Sequence, residues 1–217
     1  MALMKSKEIP KDAVRLDEEE AIKYAWEFVG EWKPVSDIWA LLYGPGVLGG
    51  VNAISGVFIN NHFRNKLKLG QYGFFSSVIP VSVIPGILTP LFHRYFVSTN
   101  MLLMKNETCP LCYEIRSTAI QLSLGIAYPM ILAPTASMML THRYATSRIP
   151  DLYEGPKVIF NFIRKLARPF NGTLAFLAGA QAITSAVITY LEMKSTLTLK
   201  RKVTEIEKKL EMEESFG

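Results

Sequence analysis

The stretch STAIQLSLGIAYPMILAPTASMMLT, residues 117–141, contains no Asp, Glu, Lys or Arg and carries two prolines, Pro129 and Pro134. A helix needs about 20 apolar residues to cross a hydrocarbon core roughly 30 Å thick. This stretch meets that length, and Arg116 and His142 bracket it. Three further uncharged runs repeat the pattern at 38–61, 69–92 and 169–191. Together they predict an all-α integral membrane protein with four transmembrane helices. A soluble helical bundle is the competing reading, but buried soluble helices seldom lack charge over so many residues. Proline separates the two as well. Pro80, Pro85 and Pro90 recur in the second run, which a soluble helix tolerates poorly. A membrane helix accepts them where neighbours satisfy the freed carbonyls. The second span is therefore expected to be kinked or partly unwound.

The charges lie between and beyond the runs. Net charge is +5, yet Arg64, Lys66, Lys68, Arg94, Arg116, Arg143, Arg164, Lys165 and Arg168 flank spans instead of forming a basic domain face. That placement fits phospholipid headgroups and gives no support to nucleic-acid binding. Residues 1–37 form a polar leader with six basic and nine acidic residues. It lacks the apolar core of a secretory signal and is more acidic than a mitochondrial transit peptide. Within it, Asp17 followed by Glu18, Glu19 and Glu20 reads as a helix start. Ile22, Ala25, Trp26, Val29 and Trp32 then share one face up to Lys33-Pro34, predicting an amphipathic helix over 17–33. Its face suits a membrane interface, a partner, or the chain's own spans. Residues 192–217 form a charged tail in which Leu199, Val203, Ile206 and Leu210 follow helical spacing. Trp26, Trp32 and these four tail residues are candidates for docking a partner. An even number of spans puts both termini and loop 93–116 on one side, with loops 62–68 and 142–168 on the other. The basic loops lean toward the matrix or cytosol.

Within lipid, helices associate by close approach of small residues. Gly46 and Gly50, Gly49 and Ala53 in the first span, and Ala175 and Gly179, then Ala178, Ala182 and Ala186 in the fourth, have the i, i+4 spacing of such contacts. Asn52, Gln121 and Gln181 are expected to hydrogen-bond across helices, as structural links more than as a substrate site. No Asp, Glu, Lys or Arg falls inside a run, so the ionisable groups that pumps and proton relays need are not expected at membrane depth. No nucleotide, metalloprotease or hydrolase motif occurs, and no cofactor is expected. Chemistry is left to Cys109 and Cys112, the only cysteines. Zinc would need four ligands, and only His93 could share their side, so no metal site is expected. A clip, inert thiols or thiol redox chemistry remain open. Asn106 and Asn171 head formal glycosylation sequons, and neither is expected to be used.

CPLCYEIRS, residues 109–117, is similar to the C-x-x-C-x-x-x-R-S of the transmembrane protein 126 family. GGVNAISG from Gly49 with NNHFR from Asn60 resembles that family's first span and its exit. IPGILT from Ile84 with RYFV from Arg94 resembles the end of its second. YPMILA from Tyr128, LTHRY from Leu140 and Pro150 resemble its third span and following loop. The resemblance covers roughly residues 45 to 155, with weaker agreement through the fourth span. It implies a multi-pass protein of the mitochondrial inner membrane, not an enzyme, that assists assembly of respiratory complex I. Implied partners are other assembly factors and membrane-arm subunits of that complex. An accessory subunit of a respiratory or protein-import complex, or a carrier for an uncharged solute, is the alternative.

Overall fold

A computed structural model describes residues 17–103, 109–150 and 155–216. Among them every regular element is helical. Four helices are long and apolar enough to cross a bilayer: α2 (Trp39–Lys66), α3 (Phe74–Leu102), α4 (Pro110–Tyr144) and the membrane part of α6 (Asn171–Phe216). Before them comes α1 (Glu18–Glu31), where Asp17 N–H donates to the Glu20 carboxylate at 3.4 Å. Between α4 and α6 lies α5 (Pro156–Ala167). With 46 residues, α6 is about 69 Å long at 1.5 Å per residue, so it leaves the bilayer and carries the charged tail with it.

The helices outrun the uncharged runs. Helix α3 passes through His93 and Arg94 to Leu102, and α4 begins at Pro110, so most of the expected loop 93–116 is helix. Absence of charge marks hydrocarbon depth, whereas a helix ends where its caps and backbone partners do.

The prolines of α3 do not unwind it. The chain widens into π turns at Ile79–Val83 and Arg94–Ser98 and stays helical throughout. A third π turn, Ser123–Ala127, precedes Pro129 in α4. Pro80 lies inside the first of these turns, whereas Pro90 sits in regular α-helix.

Helix α2 packs against α3, α4 and α6, and α4 packs against α6. The bundle is inverted relative to a soluble one. Ile54, Phe58, Ile87, Ile131, Phe176 and Ile183 are exposed. Asn52, Ser55, Asn60, Ser82, Thr89, Ser117, Gln121, Ser137, Gln181 and Ser185 are buried. Lipid solvates the outer side chains as well as a protein core would, so burial goes to groups that can hydrogen-bond or pack closely.

Candidate functional site

The polar groups fall in three layers along the bundle. At the α2–α3 turn, Arg64 is 2% exposed. Its Nη2 donates to the carbonyls of Gly70 and Tyr72 at 2.8 and 2.9 Å, and its Nη1 to Ser77 Oγ at 2.8 Å. Asn60 Nδ2 donates to the same hydroxyl at 3.3 Å. The turn can present its carbonyls inward because Gly70 and Gly73 take φ of 52° and 60°, a region glycine enters without penalty.

The middle layer joins all four spans. Asn52 Nδ2 donates to Thr89 Oγ1 at 2.6 Å, and Thr89 donates to the Pro85 carbonyl at 2.7 Å. Gln181 Nε2 donates to Ser55 Oγ at 2.7 Å, and Gln121 Nε2 donates to Gln181 Oε1 and to the Leu48 carbonyl. Gly125 lets α4 approach: a Cβ there would lie 2.7 Å from Gln181 Nε2 and overlap Asn52.

The third layer contains ionisable groups. His93 Nε2 lies 3.0 Å from Glu192 Oε2, and both side chains are essentially inaccessible. Ser98 Oγ donates to the same carboxylate oxygen at 3.2 Å. Ser117 Oγ stands 3.2 Å from His93 Nδ1 and 2.6 Å from Ser185 Oγ. With Glu192 ionised, Nε2 carries the imidazole proton and Nδ1 accepts from Ser117. The second carboxylate oxygen, Oε1, is buried without a hydrogen-bond partner and faces the Cα of Gly44. This corrects the sequence expectation that no ionisable group would be buried in the bundle. His93 and Glu192 each sit one position past the end of an uncharged run, and helical continuation carries them into the interior. A signal existed in the sequence: Gln181, Ser185, Thr189 and Glu192 share one face, as do Thr89 and His93.

The predicted packing residues divide. Gly49 sits against the Gly86 carbonyl, which Pro90 leaves without its i+4 donor, and a Cβ would fall 2.8 Å from Pro90 Cδ. Ala53 lines the same contact from below Gly86. Gly46, Gly50 and Gly179 have open space where a Cβ would stand, and Ala175 is exposed while Ala182 is half-buried. The i, i+4 spacing identified a stripe but could not say which side of the helix met a neighbour. Gly44, which sequence reasoning missed, brings α2 onto Ile188 and Glu192.

The docking candidates are largely used within the chain. Val29, Ile38 and Leu199 form a buried cluster with Trp26, Trp32 and Val203 packed around it. Trp26 Nε1 donates to Thr99 Oγ1 at 3.0 Å, and the Arg94 guanidinium lies 3.9 Å from its ring centre. Trp32 Nε1 reaches Asp37 at 3.5 Å, and Asp37 pairs with Lys202. The Lys202 ammonium beside Asp37 holds its carboxyl below the usual carboxylate range, with Trp32 adding to the effect against partial burial. Helix α1 is thus a cap on its own spans. Among the five whose side chains are described, Ile206 alone is exposed; the Leu210 side chain lies outside the described residues. Cys109 and Cys112 are joined as a disulfide at the start of α4, with Cα atoms 5.4 Å apart. Asn106 lies outside the described residues.

The layers and the disulfide-clipped third span define a four-span helical membrane protein with a hydrogen-bonded polar interior. Residues 31–205 match the transmembrane protein 126 family, and the chain belongs to it. It is 40% identical over 215 residues to transmembrane protein 126 of Drosophila melanogaster, covering 98% of this chain and 96% of that one. It is 32% identical over 143 residues to transmembrane protein 126A of Rattus norvegicus, covering 66% and 70%. A more distant relative, 27% identical over 111 residues, is the mitochondrial complex I assembly factor TMEM126B of Mus musculus; the match covers 50% of this chain and 46% of that one. No solved structure matches.

Proposed function

We propose that the protein is a non-enzymatic assembly factor of the mitochondrial inner membrane that holds membrane-arm subunits of respiratory complex I before they are joined. The observation that carries this reading is the closed bundle. Backbone meets backbone at Gly49 and Gly86, polar side chains of all four spans bond to one another, and the apolar surface is left outside. Such a body offers other membrane helices a rigid exterior to pack against. The mouse relative's name supports complex I as the assembly served. The carrier alternative rested on a broken second span, and α3 is continuous.

The ends of the bundle suggest its orientation. Loops 62–68 and 142–168 carry nine Lys and Arg, which positive-inside bias turns to the matrix. The disulfide then sits at the opposite, more oxidising end.

Deleting the gene tests the assignment. Native gels and NADH oxidation should show loss of mature complex I with membrane-arm intermediates accumulating, while other respiratory complexes persist. Normal complex I would overturn it. Crosslinking to incoming chains during import, in place of assembly intermediates, would transfer the role to an import component.

A further inference from the structure

From α5 and the basic residues around it, we infer an interfacial site for anionic phospholipid headgroups. Helix α5 presents Lys157, Arg164 and Lys165 on one side, and Arg168 follows in the next turn; all four are exposed. Ile159, Phe162, Ile163 and Leu166, on the other side, cover Leu67, Leu69 and Met138. Phe160 is 66% and Val158 41% exposed, at the two borders between these faces. The chain from Gly155 to Leu191 has no Asp or Glu. Lys66, Lys68, Arg143 and Arg148 are exposed at the same end of the bundle. None of these eight cations has an acidic partner among the described residues.

Two further contacts fix where α5 lies. His62 Nε2 lies 3.1 Å from the Leu166 carbonyl, and the His62 ring stacks on Phe170 at 4.2 Å. These tie the end of α5 to α2 inside the bundle's rim. From there the chain passes through Arg168–Phe170 straight into the fourth span. The C-terminal end of α5 therefore lies at the water–hydrocarbon boundary. An exposed Phe160 at that level meets acyl chains while the cations beside it meet phosphates. That combination fits an anionic lipid surface. An acidic protein segment would use the cations and leave Phe160 and Val158 in water. Each cation near an anionic surface tightens association about fivefold, less as salt screens it.

The full-length protein, reconstituted in vesicles of phosphatidylcholine and phosphatidylglycerol and re-extracted, provides the test. The headgroup ratio of retained lipid is compared with the bulk ratio. The expected result is several-fold enrichment of phosphatidylglycerol that collapses at roughly 0.5 M salt, where the screening length falls to about 4 Å. Neutralising α5 (K157Q/R164Q/K165Q/R168Q) should bring the ratio to within about twofold of bulk. Neutralising the tail (R201Q/K208Q/K209Q) should leave the enrichment intact. Thermal unfolding in phosphatidylcholine alone checks that each variant folds. If the quadruple variant fails, the pairs K157Q/R164Q and K165Q/R168Q should each lose about half of the enrichment. Enrichment that survives neutralisation of α5, ignores salt, or is lost equally from the tail variant overturns the proposal.

Discussion

Replacing His93 by Leu should destabilise the protein more than replacing Glu192 by Leu, and replacing both should cost less than either sum implies. H93L leaves the Glu192 carboxylate buried with only the Ser98 hydroxyl at 3.2 Å to solvate it, since Oε1 already lacks a partner. Leaving a buried charge uncompensated costs about 3–5 kcal/mol. E192L strands two donors, the His93 Nε2–H and the Ser98 hydroxyl. A stranded neutral donor costs about 1–3 kcal/mol, and the serine can turn to a backbone carbonyl, so about 2 kcal/mol is expected. H93L/E192L leaves no buried charge and should resemble E192L. The coupling between the two sites then equals the H93L cost, about 3–5 kcal/mol. That exceeds the roughly 0.6 kcal/mol typical of neutral hydrogen bonds between membrane helices, and it would identify a hydrogen bond to a buried carboxylate. Equilibrium unfolding in mixed micelles, followed by loss of helical circular dichroism, measures all four proteins. Single substitutions of equal cost that add in the double variant would refute the reasoning.

Three other expectations follow from the same geometry. G49A should cost about 1–3 kcal/mol because its Cβ meets the Gly86 carbonyl and Pro90, whereas G50A, facing open space, should stabilise by up to ~1 kcal/mol; unfolding in the same micelles compares them. R64M should cost about 2–4 kcal/mol by stranding the carbonyls of the 67–73 turn and hasten proteolysis there, and R64K should recover little, since an ammonium cannot span the separate acceptors. Because Asp37 is held below its ordinary range, its contribution is complete above the unfolded carboxylate pKa and is lost only as pH falls through the lower, folded value. Trp32 fluorescence should therefore be steady from pH 7 to about 5 and change in more acidic solution, and in D37N that acid change should be absent.

The sequence by itself determined how many times the chain crosses the bilayer. Hydrocarbon excludes unpaired charge, so each run free of Asp, Glu, Lys and Arg declares its depth without reference to any neighbour. It also marked α1, because the Asp17 start and the face of Trp26, Val29 and Trp32 are local patterns. Which face of each helix turns inward was another matter. Lipid is as apolar as leucine, so hydrophobic periodicity carries no instruction about the interior of a bundle. Gly49 and Gly50 read alike in one dimension; only packing against Pro90 tells them apart. The same holds for His93 and Glu192, which look like boundary residues until two helices from distant parts of the chain bring them within 3.0 Å. Their burial is a pairwise fact, since each is tolerated there only because the other is present.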